Sequence, residues 1–202
     1  MQRLNFIALA LAAPVVLFTA ACGEQRAPTE ATRTPATMVA GGSLDAGPVH
    51  AGGIVAHDSC DPDSFNANIG PGTCLKNGGT TFAEFIAQLQ ATGVAQDWKF
   101  SSEHLTARLG VDLLGNNVGG EEHTFTPVRA FGGGMVPILN TLSGNPVPAP
   151  ECLALDEDDL VAVGGKYLVE SEELADVADA GGIARVQCCI HPWMRTEVRM
   201  QR

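Results

Sequence analysis

The segment of this sequence best furnished for chemistry is Val186-Gln187-Cys188-Cys189-Ile190-His191-Pro192-Trp193-Met194-Arg195. It carries a thiol, an imidazole and a thioether at C-x-x-H-x-x-M spacing, directly after a short apolar run. Three soft or borderline donors can therefore converge on one ion, with Pro192 stiffening the turn between them. That donor set favours copper, which cycles between Cu(I) and Cu(II). A fourth donor must come from elsewhere, and the chain has five histidines. His123 follows Asn116-Asn117-Val118-Gly119-Gly120-Glu121-Glu122 and opens Thr124-Phe125-Thr126, so it stands at the start of a strand after a turn-rich loop. His50, His57 and His104 read as ordinary surface histidines.

These donors need a scaffold, and the periodicities indicate which kind. Trp98, Phe100, Leu105, Ala107, Leu109, Val111, Leu113, Phe125 and Val128 fall in short runs broken by Gly and Asn. Ile183 to Val186 and Thr196 to Met200 add two more, the pattern of a β-sandwich. One helix is predicted upstream: Thr81 with Glu84 forms a capping box, Phe82, Phe85, Ile86 and Leu89 recur at helical spacing, and Gly93 stops it. Gly132-Gly133-Gly134 lacks the Lys-Ser/Thr of a phosphate loop and reads as a turn. Cys60 and Cys74 bracket a turn-rich loop and can be joined by a short-range disulfide or remain thiols. Asp61 and Asp63 lack the glycine and distal glutamate of a calcium loop.

The chain of 202 residues has 23 acids against 12 Lys and Arg, a net charge of -11. That sign argues against nucleic acid as a partner. Residues 1–21 have a charged start, an apolar body too short for a membrane span, and small residues before Cys22, as a secretory signal does. Thr19-Ala20-Ala21-Cys22 resembles a bacterial lipobox, with Cys22 as the lipidated N-terminus; ordinary cleavage leaving a free Cys22 is the alternative. Residues 22–48, rich in Thr, Ala, Pro and Gly, read as a flexible tether. The expected location is periplasmic or cell-surface, with membrane contact only through the lipid anchor. Export also permits disulfides.

The run from Phe100 to Gly110, then Asn116-Asn117 and His123-Thr124-Phe125, closed by Cys188-x-x-His191-Pro-Trp-Met194, resembles the cupredoxins, or type 1 blue copper proteins. The short ligand loop is most similar to the amicyanin type. The resemblance implies an all-β, cupredoxin-like Greek-key sandwich over residues 97–202, with 49–96 as a helical, disulfide-looped extension. It implies one mononuclear copper, held by a trigonal set of His123, Cys188 and His191 with Met194 as a weak axial contact. The implied activity is one-electron transfer between redox partners without catalysis, His191 forming the partly exposed edge through which the electron passes. A periplasmic copper carrier, or a metal-free cupredoxin-like structural domain, would use the same fold. A site in which Glu121 or Glu122 joins His123, Cys188 and His191 around copper or zinc is a further alternative.

Cys188 as ligand leaves Cys189 to be explained, since successive strand residues point to opposite faces. Of the three pairings open to Cys60, Cys74, Cys152 and Cys189, Cys60 with Cys74 and Cys152 with Cys189 is favoured. A vicinal Cys188–Cys189 bond would destroy the site. Between His123 and Cys188 the stretch from Glu151 to Asp179 holds ten acids and one lysine. It reads as an elaborated loop tied back through Cys152, and as a docking surface for a cationic redox partner.

Overall fold

The computed structural model describes residues 52–202. The expected signal, the tether, Cys22 and His50 lie outside the described residues. Among the described residues, no helix is long and apolar enough to cross a membrane.

Among the described residues, eight strands build two four-stranded sheets. The first contains β1 (Gly53–His57), β2 (Lys99–Ser101), β4 (Leu113–Asn117) and β6 (Lys166–Val169), in the order β2-β1-β4-β6. The second contains β3 (His104–Arg108), β5 (Thr126–Val128), β7 (Ile183–Gln187) and β8 (Arg195–Gln201), in the order β3-β8-β7-β5. The β1–β4 and β3–β8 pairs are parallel and the rest antiparallel. The chain changes sheets at every step from β2 to β7, which makes the sandwich a crossed-over one and not a stack of hairpins. Strand alternation places Thr196 and Val198 of β8 inward and Glu197 and Arg199 toward solvent. Ile54, Ala56 and Leu113 of one sheet meet Ala184, Val186 and Val198 of the other in a single core. The Phe100 and Phe125 rings stack at 5.3 Å within it.

The expected domain boundary at residue 97 is corrected by β1. This strand, in the stretch expected to be an extension, lies inside the first sheet between β2 and β4. A boundary at 97 would remove a central strand, leaving β2 without a partner and β4 with an unpaired edge. The segment after β1 does lie outside the sheets: α1 (Pro62–Asn68) sits inside the loop that the Cys60–Cys74 disulfide closes, and α2 (Phe82–Thr92) follows it. Thr81 and Glu84 form the reciprocal capping box, and Gly93 ends α2 in a left-handed conformation. Phe65, Phe85 and Leu89 are buried by these helices against Trp98. Each such side chain contributes about 2 kcal/mol through apolar burial.

The acidic stretch is also more regular than the expected loop. It contains β6, which extends the first sheet by pairing with β4, and a further helix (Ser171–Val177). Hydrophobic residues at Val169 and Leu174 explain this, because both are fully buried and tie the acidic face to the core. Another helix, α3 (Pro137–Leu142), follows the glycine run.

Candidate metal centre

The centre lies at one end of the sandwich, where β7 stops and the loop to β8 begins. Cys188 N–H donates to the Met194 carbonyl at 3.0 Å, and Met194 N–H to the His191 carbonyl at 2.9 Å. These two bonds fold the loop back on itself and bury Cys188, His191 and Met194 together. Gly134 lets another chain segment approach: a Cβ there would collide with the Cys189 carbonyl oxygen. Gly134 is thus the point where the loop packs closely, Gly132 and Gly133 meeting Val147, Ala149, Asn140 and Asn145 instead, and Met135 N–H donates to that same carbonyl.

His123 is brought to the loop from the end of β4 by buried polar groups. The Asn117 side chain donates to the carbonyls of Glu121 (2.7 Å) and Val161 (2.9 Å) and accepts from Gly119 N–H. His123 pairs with Val161 in an isolated antiparallel bridge. With every polar atom of the Asn117 side chain engaged, this network fixes one conformation of the 117–123 turn.

The outcome is a convergence of three donors. Cys188 Sγ lies 3.7 Å from His123 Nδ1 and 3.9 Å from His191 Nδ1. All three residues are buried, and their ligand atoms lie within 4.8 Å of one another. Nitrogen and sulfur at ordinary bond lengths from one ion, about 2.0 and 2.3 Å, and spread trigonally, stand roughly 3.7 Å apart. The separations therefore fit a single ion. Thr124 N–H and His191 N–H both point at Cys188 Sγ, each at 3.5 Å, as suits a thiolate.

The far nitrogen of each imidazole faces a buried carboxylate. His123 Nε2 lies 3.0 Å from Asp58 Oδ2, both side chains having 0% exposure. His191 Nε2 lies 3.6 Å from Glu121 Oε2. Asp58 also accepts from the backbone N–H groups of Cys60, Gly120 and Glu121. Glu121 accepts from Trp98 Nε1 at 2.6 Å. Carboxylates so placed keep the proton on Nε2 and leave Nδ1 free to ligate.

Charge follows from this arrangement. Burial alone would push the Cys188 thiol up, but His123 and His191 hold it well below the ordinary thiol range. Burial likewise acts to lower His123, yet the hydrogen bond to Asp58 and the facing sulfur raise it to about 9. Glu121 is pushed up by burial, which His191 and Trp98 only partly offset. Ligation requires the imidazoles to be neutral, and the Cys188 thiolate and the Asp58 carboxylate would then leave negative charge for a bound cation to meet.

Asp58 is depressed from 3.8 to about 2, the cost of its burial being outweighed by His123 and the N–H groups of Glu121 and Gly120. A carboxylate with a lowered folded-state value contributes stability that is complete above 3.8 and lost as pH falls through about 2. The metal-free protein is therefore expected to lose about 2 kcal/mol over that window, an acid step that Asp58→Asn would lack. Denaturant unfolding at a series of pH values checks this.

Among the described residues, the cysteines divide cleanly. Cys60 is bonded to Cys74 and Cys152 to Cys189, and Cys188 is free and buried. Among the other histidines, His104 is exposed beside Glu197 and His57 is half-buried, and neither belongs to the donor group. The expectation for His191 is overturned: it is 2% exposed, enclosed by Phe85, Trp193 and Glu121. Its cover is α2, which no part of the ligand motif announces. Sequence reasoning also missed Asp58, Asn117 and Thr124 as builders of the site; a buried Asp two residues before a cysteine leaves no local signal.

No protein-family model matches the chain, and no curated protein does. Among solved structures, a purple cupredoxin from Nitrosopumilus maritimus is similar at 15% identity with a TM-score of 0.34, over 56% of this chain and 90% of its own. A variant of amicyanin in its Cu(I) form gives 14% and 0.31, over 51% and 73%. Reduced auracyanin from Roseiflexus castenholzii gives 16% and 0.29, over 52% and 88%. All three are cupredoxins. With superpositions this loose, the weight of the functional case falls on the donor atoms.

Proposed function

We propose that this chain is a type 1 copper protein that carries single electrons between redox partners. His123, Cys188 and His191 would hold the ion, with Met194 of the same loop as a weaker contact. The observation that carries this is the approach of both Nδ1 atoms to one thiolate, at 3.7 and 3.9 Å, while each Nε2 faces its own carboxylate. Bound copper would supply the one-electron chemistry, alternating between Cu(II) and Cu(I).

The chain's own residues would keep that exchange fast and specific. The packed loop holds the donors in one geometry for both oxidation states, so little has to move. Two N–H groups on the sulfur lower its electron density and tune the potential. Glu121, engaged behind His191 and by Trp98, stands outside the donor set, which supports a closed centre over an open metal site with a carboxylate ligand. Burial of all three donors supports a resident ion over a cargo ion that must enter and leave.

The two disulfides accord with an oxidising compartment. Export by residues 1–21, anchoring through a lipidated Cys22 and steering of a cationic partner by the acidic 151–179 face complete the reading. Cu(II) added to the metal-free protein should produce one equivalent of an intense blue to purple thiolate-to-copper band. Met194→Gln should shift the potential and the band while copper stays bound, as potentiometry and copper analysis would reveal. A colourless protein that binds zinc stoichiometrically and forms no such band would sink the proposal.

A further inference from the structure

The burial of His191 raises the question of how an electron reaches solvent. Three aromatic rings meet its imidazole: His123 at 5.1 Å, Phe85 at 6.4 Å and Trp193 at 5.5 Å between centroids. His123 is 0% exposed and Phe85 2%, whereas Trp193 is only half-buried. Of these three rings, the indole alone reaches the surface. It is also held in place, its Nε1–H donating to the Trp98 carbonyl at 3.1 Å and its ring packing on Phe85.

We propose that Trp193 is the electron-exit residue of this centre, taking the place of the imidazole edge that α2 covers. The inference rests on the copper reading above. Electron tunnelling falls off exponentially with distance, so a partner gains most by touching the outermost group in direct contact with a ligand. The step makes and breaks no bond: one electron leaves Cu(I), passes through the indole without oxidising it, and reduces an outer-sphere acceptor, with no proton transferred. A second approach to His191 exists in the apolar groove between α2, α3 and the ligand loop, a cavity of about 280 Å³ lined by Phe85, Ile86, Ile138 and Ile190. His191 and Glu121 also line this groove, so it is the rival path; the imidazole is nevertheless only 2% exposed, whereas Ile138 is 60% exposed.

Two measurements test the proposal. In the metal-free protein, acrylamide should quench tryptophan emission, and Trp193→Phe should lower the quenching slope several-fold, because the remaining Trp98 is 1% exposed. An unchanged slope would show that Trp193 is not the accessible ring and would overturn the route. In the copper-loaded protein, oxidation by hexacyanoferrate(III) is then timed by stopped flow. Trp193→Leu keeps a bulky cover over His191 without the ring, and its rate should fall by an order of magnitude with the copper band unchanged. Trp193→Phe should restore most of the rate, and Ile138→Lys in the groove should leave it as in the unaltered protein. A normal band with an unaltered rate in Trp193→Leu, or a slowed rate in Ile138→Lys alone, would overturn the exit route and leave the copper centre standing. Failure of the unaltered protein to form the band would overturn both.

Discussion

Replacing Cys188 with Ser is expected to abolish the thiolate-to-copper band and to leave no tight copper site, whereas Cys189→Ser should keep the colour. The two residues are adjacent, yet they face different partners: Cys188 Sγ points to two imidazoles, and Cys189 is bonded to Cys152. A serine hydroxyl at 188 offers a harder, protonated donor where copper needs a thiolate. At 189 the loss is of another kind. The Cys152–Cys189 bond spans 37 residues, and removing a crosslink of that span costs about 2–4 kcal/mol. Absorption spectra and denaturant unfolding of both variants should therefore show opposite patterns, colour lost in one and stability in the other. Colour that survives Cys188→Ser would identify some other chromophore.

The second large effect is expected at Asp58, far from the ligand motif. Asp58→Ala removes the partner of His123 Nε2 and strands the N–H groups of Cys60, Gly120 and Glu121 inside the protein. Orphaned buried polar groups of this number should cost about 3 kcal/mol or more. Loss of the carboxylate behind the imidazole should weaken metal binding by roughly 10–100-fold. Asp58→Asn keeps the shape but removes the charge. Because a carboxylate on the far nitrogen makes the imidazole a stronger donor and favours Cu(II), Asn should raise the potential. A rise of roughly 60 mV would correspond to a tenfold change in the one-electron equilibrium. Calorimetric metal titration and potentiometry measure these effects; a potential that does not move in Asp58→Asn would reduce Asp58 to a packing role.

The contrast between these sites explains what is legible in the sequence. Cys188, His191 and Met194 share one loop, so their spacing is visible locally, as is the Thr81–Glu84 capping box that starts α2. Asp58 acts on a histidine 65 positions later, and its Asp-Ser-Cys-Asp-Pro context reads as an ordinary turn. β1 escapes a sequence reading for a similar reason. Its five residues begin with glycine and end with histidine, and their parallel partners in β4 lie about sixty residues on. Local pattern carries no trace of such pairings. Nor does the ligand motif say what will cover it: His191 beside Pro192 and Trp193 looks like an exposed edge until α2 places Phe85 over it.

The positions of Asp58 and Cys188 in the chain have a mechanical consequence. One comes just after the first strand and the other just before the last, and His123 lies between them and touches both. An ion bound there would clasp the two ends of the domain. Peeling β1 away would strip His123 of its support, and pulling β8 would draw out the ligand loop. Occupancy should therefore raise the resistance of both ends to limited proteolysis together, and cleavage at either end should release the ion.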